Sequence, residues 1–151
     1  MDNSIYQFEE TRTVKSSGKF TPIPKGPHNE SVMKNAEGNA KYKRKHSSEE
    51  ERKMMELLDG QNVRYEFQKI VYIKSSGGFI KQYFIVDFFI PSRDVVIEMH
   101  GVPSKETLRF AGEKRAAIKK AYPLYTMIDW FSGDFSAYNK VKNLVSLLKG
   151  Q

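Results

Sequence analysis

The 151-residue sequence contains no cysteine, which excludes disulfide staples, thiolate zinc sites and cysteine nucleophiles. Long apolar runs are also missing. The longest, Tyr83 to Ile90, is broken by Asp87 and falls well short of the roughly 20 residues that span a bilayer as a helix. No apolar segment follows the opening Met1-Asp2-Asn3-Ser4, so no signal peptide is visible and a soluble, cytoplasmic protein without a membrane partner is expected. No internal repeat is apparent. Acidic excess is absent too: 25 Lys and Arg against 18 Asp and Glu give a net charge of +7, which shifts expectation modestly toward a polyanionic partner. What is present suffices for one core. Apolar residues make up 39% and aromatics 13%, and this length fits one domain.

Residues 1–46 differ from the rest. They hold nine of the 25 cationic and five of the 18 acidic residues, net +4, leaving 16 and 13, net +3, for the remaining 105. They carry Gly, Pro, Ser and Asn without a sustained apolar period and end in Lys41-Tyr42-Lys43-Arg44-Lys45-His46. Such a stretch buries too little apolar surface to offset its ordering entropy, so a flexible basic arm over 1–46 is expected, followed by a folded domain over 47–151.

The domain opens on Ser48 and Glu51, spaced as a capping box, with Glu49, Glu50 and Glu51 forming an acidic first turn. Met54, Met55, Leu57 and Leu58 form an apolar stripe and Asp59-Gly60 ends the helix. Val63 to Lys74 reads as a strand, Ser75-Ser76-Gly77-Gly78 as a turn, Phe79 to Ile90 as a second strand and Val95 to His100 as a third. Ser104 can cap a helix whose Leu108, Ala111, Ile118 and Tyr122 share a face. Leu124 to Asp129 reads as a strand and Ser136 to Lys149 as a last helix. The expected fold class is α/β, in the order α-β-β-β-α-β-α.

The chemistry sits between Asp87 and Gly101. A four-residue hairpin loop at 91–94 sets Ile90 against Val95 and therefore Asp87 against Glu98, with Cβ atoms about 4.5–5.5 Å apart. By strict alternation, Ile85, Asp87 and Phe89 share a face with Val96, Glu98 and His100, while Val86, Phe88, Ile90, Val95, Ile97 and Met99 form a wholly apolar face. Facing carboxylates in a sheet covered on both sides require neutralisation by a proton, a cationic side chain or a metal ion. Hard oxygen ligands suit Mg²⁺ or Mn²⁺, so Asp87 and Glu98 are the candidate metal ligands. His100 is a candidate to handle a water or a phosphate. Glu51 either leans over the same site or serves only as a cap. Among Lys105, Arg109, Lys114, Arg115, Lys119 and Lys120 of the second helix, Lys105 and Arg109 are the first candidates for phosphate contacts, with Arg115 beside them and Lys41, Lys43, Arg44 and Lys45 in the arm.

These residues resemble the PD-(D/E)xK, or restriction-endonuclease-like, nuclease superfamily, in which a strand Asp is followed on the next strand by Glu-x-Lys within an αβββαβ core. Here the pattern is Asp87, then Glu98-Met99-His100, and it extends from Ser48 to about Trp130. Glu51, Asp87, His100 and Gly101 also match the very short patch repair endonuclease branch and the EDxHD homing endonucleases of phages; phage-type Holliday-junction resolvases are a more distant likeness. His100 stands where the superfamily has lysine, and residues 102–106, Val-Pro-Ser-Lys-Glu, hold no second histidine. The resemblance implies a mixed central sheet flanked by helices. It also implies a metal-dependent DNA endonuclease, with Glu51, Asp87, Glu98 and His100 as catalytic residues, Mg²⁺ or Mn²⁺ as cofactor and DNA as partner. A homodimer is open as the arrangement that cuts both strands. Two alternatives stay open: a non-catalytic nucleic-acid-binding protein on a degenerate nuclease fold, and an RNA nuclease.

Overall fold

A computed structural model describes residues 23–150. Four strands form one mixed sheet in sequential order: β1 (Glu66–Lys74), β2 (Ile80–Ile90), β3 (Val95–Met99) and β4 (Thr126–Trp130). β1, β2 and β3 are antiparallel neighbours, and β4 lies parallel to β3 after the crossover helix α3 (Lys105–Ala121). Helix α2 (Glu49–Gly60) precedes the sheet; a short 3₁₀ turn (Ser132–Ser136) and helix α4 (Tyr138–Lys149) end the chain. The α/β class and the flanked mixed sheet are as expected.

The flexible-arm expectation does not hold for the described part of residues 1–46. Pro27–Lys45 form helix α1, and residues 1–22 of that arm lie outside the described residues. Pro27 at the first turn, Glu30 near the N-terminus and Lys43, Arg44 and Lys45 in the last turn all suit a helix and its dipole. Met33, Ala36 and Ala40 pack on Ile70, Tyr72 and Ile80. Small alanines make that contact, so the sequence shows little apolar period even though the helix is docked. Its N-terminal end grips the β1–β2 turn: the Asn29 amide donates to Pro24 O and Gly78 O and accepts from Ile80 N. His28 stacks on Phe79 at 3.9 Å. Gly78 has φ +85, and a Cβ there would lie 2.6 Å from Pro24, so the turn needs glycine.

One side of the sheet carries α1, α2 and α4. Met54, Leu58, Leu144 and Leu148 pack with Phe88, Ile90, Val95, Ile97 and Trp130. On the other side Ile118 of α3 packs with Val71, Val86, Phe89 and Val96. Leu108, expected on the buried face of α3, is 51% exposed; Ala111 and Ile118 are the helix's buried residues. The expected register is present, with Phe88, Phe89 and Ile90 opposite Ile97, Val96 and Val95.

Strict alternation fails at one place, and it is where Asp87 stands. Val86 and Phe89 lie in the Ile118 cluster, whereas Ile85 packs under α1 and Phe88 and Ile90 pack under α2 and α4. The side-chain direction therefore slips by one residue at Asp87, and Phe89 does not share a face with Ile85. β1 slips at the facing residue: Phe67 packs with Phe88, Ile70 and Tyr72 face α1, and Val71 faces α3. Between Phe67 and Lys69, Gln68 takes a left-handed φ of 56°. Because both strands slip together, Phe67 still pairs with Phe88 and Lys69 with Val86.

Candidate active site

The slip opens a polar seam through an apolar sheet. Asp87 and Glu98 are only 9% and 7% exposed, and each carboxylate turns onto the other strand's backbone. Asp87 N donates to Glu98 Oε2 at 2.8 Å, and Met99 N donates to Asp87 Oδ2 at 2.8 Å. The side chains thus take over hydrogen bonds at the end of the β2–β3 ladder, consistent with the demand that buried backbone groups be paired. Gln68, buried at 1% exposure, faces Asp87 from β1. Its Nε2 donates to Asp87 Oδ1 and to Glu51 Oε2, both at 3.2 Å.

Glu51 has two jobs divided between its two oxygens. Oε1 accepts from Ser48 N at 2.8 Å while Glu51 N donates to Ser48 Oγ at 3.1 Å, completing the capping box. Oε2 points to Gln68. The capping and site readings of this residue are compatible, because the cap fixes the first turn of α2 beside the seam.

Lys114, from the middle of α3, reaches the seam from the other side. Its Nζ donates to Glu98 Oε1 at 2.5 Å and to Ile85 O at 2.8 Å. This single ammonium does not balance the acidic groups. Burial, then the neighbouring Glu98 carboxylate, raises the Asp87 pKa from 3.8 to about 6, despite the opposing Met99 N–H, Lys114 and Lys43. Burial also raises Glu51, with Asp87 adding to the shift and the Ser48 backbone and Lys43 opposing it.

His100 belongs to an adjoining cluster. In the parallel β3–β4 register Asp129 lies opposite Glu98. Asp129 Oδ1 contacts His100 Nε2 at 2.9 Å, and Oδ2 accepts from Arg115. The imidazole stacks on Phe131 at 4.9 Å and its side chain is 13% exposed. A carboxylate partner favours the proton on Nε2, leaving Nδ1 with the lone pair. His100 is therefore oriented by Asp129 rather than by the Asp87–Glu98 pair.

The candidate phosphate contacts fall into different settings. Lys43 and Lys45 are exposed in the last turn of α1, and Lys41 is exposed just before it. Arg44 instead donates to Phe67 O and Gln68 O, bracing the slip in β1. Lys105 is exposed at the start of α3. Arg109 pairs loosely with Glu113 at 3.5 Å and lies over Phe110. Arg115 is tied to Asp129.

Sequence reasoning missed Gln68, Lys114 and Asp129 as members of this region. Asp129 carried a usable signal, a lone charge in Thr126-Met-Ile-Asp-Trp that the parallel register sets beside Glu98. Gln68 and Lys114 carried none above any other polar residue. Among the described residues no group of three or more His, Asp or Glu is arranged as a metal cage. The donor chemistry nevertheless suits a hard cation. Buried carboxylates are under-compensated, and the buried Gln68 Oε1 beside them has no hydrogen-bond partner among the described residues. Compared with protein-family models, with curated proteins and with solved structures, the chain finds no match.

Proposed function

We propose that the chain is a divalent-metal-dependent endodeoxyribonuclease built on a restriction-endonuclease-like αβββαβ core. The observation that carries this reading is the facing, buried Asp87–Glu98 pair, where burial and then the neighbouring Glu98 charge, only partly offset by Lys114, raise the Asp87 pKa. The order of α2, β1, β2, β3, α3 and β4, with β4 parallel to β3, supports the fold.

Asp87 and Glu98 are the residues that would hold Mg²⁺ or Mn²⁺. Such an ion supplies phosphate charge neutralisation and a more acidic water. Lys114 fixes the Glu98 carboxylate by donating to its Oε1. His100, held through Nε2 by Asp129, accepts a proton from the attacking water at Nδ1. Lys41, Lys43, Lys45, Lys105 and Arg109 offer sequence-independent contacts to the DNA backbone.

The test is incubation of supercoiled, linear and branched DNA, and of RNA, with Mg²⁺, Mn²⁺ or EDTA. DNA nicking or cleavage that requires the ion and disappears in Asp87→Ala and Glu98→Ala is expected. Undiminished cleavage in EDTA or in Asp87→Ala overturns the metal site; binding without cleavage marks a scaffold, and preference for RNA reassigns the substrate.

A further inference from the structure

Gln68 carries more constraint than a sheet glutamine needs. It is 1% exposed, adopts φ 56° in the interior of a strand, and has its carbonyl pinned by Arg44 at 3.2 Å. Left-handed backbone at a non-glycine residue is unfavourable and persists only where the surroundings impose it. What this geometry achieves is placement of one carboxamide between two carboxylates from different elements, Glu51 of α2 and Asp87 of β2. Its NH₂ bridges them at 3.2 Å each, while its oxygen is buried with no partner among the described residues.

A bridging NH₂ does for two carboxylates, weakly, what a cation does strongly. We propose that Gln68 is a switchable ligand of the metal site: a divalent cation seated between Glu51 and Asp87 displaces the NH₂ bridge, and the carboxamide turns over to present Oε1 to it. This inference rests on the metal-dependent reading above and extends it by naming Glu51 and Gln68 as members of the ion's surroundings.

The two amide orientations explain why a switch is feasible. Without a cation, turning the oxygen toward two carboxylates is repulsive, so the NH₂ faces them and the oxygen goes unpaired. With a cation present, a carbonyl oxygen is a hard ligand of the kind Mg²⁺ and Mn²⁺ take. The turn then exchanges one unpaired buried polar end for the other, so the cation–oxygen contact decides the orientation. Arg44 holds the backbone through either state, because its contacts are to main-chain carbonyls.

The experiment uses the full chain and two readouts independent of cleavage. Mn²⁺ binding is measured by calorimetry for wild type, Gln68→Met and Gln68→Glu, and the Gln68 side-chain NH₂ resonances are followed by NMR during Mg²⁺ titration of wild type. Gln68→Met, which keeps the length and removes both polar ends, should bind Mn²⁺ about 10- to 100-fold more weakly, the loss typical for groups that shape a metal site. Gln68→Glu should bind at least as well as wild type while melting lower without metal and recovering when Mn²⁺ is added. The NH₂ resonances should move on saturation with Mg²⁺. A folded Gln68→Met with wild-type Mn²⁺ affinity, or NH₂ resonances unmoved at saturating Mg²⁺, overturns the Gln68 role and leaves the Asp87–Glu98 reading standing. A folded wild type that binds no Mn²⁺ overturns both. If Gln68→Met fails to fold, the NMR titration of wild type decides alone.

Discussion

Replacing Asp87 by asparagine should abolish cleavage and, above pH 6, stabilise the protein. In the folded chain the Asp87 pKa stands at about 6 against an ordinary 3.8, raised by burial and then by Glu98. At 1.36 kcal/mol per pH unit this difference is worth on the order of 3 kcal/mol. Its sign follows from proton uptake. Between about pH 4 and pH 6 the folded state holds a proton that the unfolded state has released, so stability falls as pH rises through that window. Above pH 6 the whole cost is present; below about pH 4 it vanishes. Asparagine can keep the Met99 N–H bond through its oxygen but turns an NH₂ toward the Gln68 NH₂, so a net gain of about 1–3 kcal/mol at pH 8 is the reasonable expectation. For a chain of this length that is roughly 3–10 °C in melting temperature. The assay is urea unfolding of wild type and Asp87→Asn in EDTA from pH 4 to pH 8. A stability difference that does not change with pH would refute the reasoning, because the cost of Asp87 would then not be electrostatic. Mg²⁺ should stabilise wild type by binding its folded state and leave Asp87→Asn unchanged.

Three further outcomes are expected. Lys114→Met removes the ammonium partner of Glu98 and should cost about 2–3 kcal/mol at pH 8, less than for a fully buried pair because Lys114 is a quarter exposed; the urea midpoint at pH 8 should fall accordingly, and an unchanged midpoint would show that the pair adds nothing to stability. His100→Ala should lower single-turnover cleavage by about 10²–10⁴-fold with little change in melting temperature. His100→Lys should retain more activity than His100→Ala, and normal cleavage by a folded His100→Ala would remove the residue from the mechanism. Deleting residues 1–46 uncovers Ile70, Tyr72 and Ile80, each worth about 1.5–3 kcal/mol when buried, so the urea midpoint should fall sharply; an unchanged midpoint would show that α1 is dispensable to the fold.

The sheet was legible because its signals are local. The capping box at Ser48 and Glu51, the loop at 91–94 and the resulting register depend on spacing within a few residues, and each is present as read. Helix α1 was not legible, since its support is tertiary: two alanines and an asparagine acquire their roles only against β1 and β2. Face assignment near Asp87 failed for a related reason. Period-2 reasoning presumes an unbroken pleat, and the break at Gln68 and Asp87 exists because two facing polar residues occupy the middle of an apolar sheet. Lys114 was grouped with the other cations of its helix because charge alone cannot tell a solvated lysine from one directed onto Glu98.

The basic run Lys41 to Lys45 shows why counting charges overstates the cations free for a polyanion. Arg44 is committed to the carbonyls of Phe67 and Gln68, where it braces the left-handed residue beneath the carboxylates. Lys43 is close enough to oppose the upward pKa shifts of both Glu51 and Asp87. One segment therefore contributes support, local field and exposed charge from successive residues of a single helical turn. In the proposed nuclease, a phosphate drawn to Lys43 would offset that lysine's charge and make the potential at the seam more negative. That change favours uptake of a divalent cation, so DNA and metal should each tighten the binding of the other. On that proposal the basic turn would join a DNA-facing surface to the metal site through a shared charge, with no moving part required.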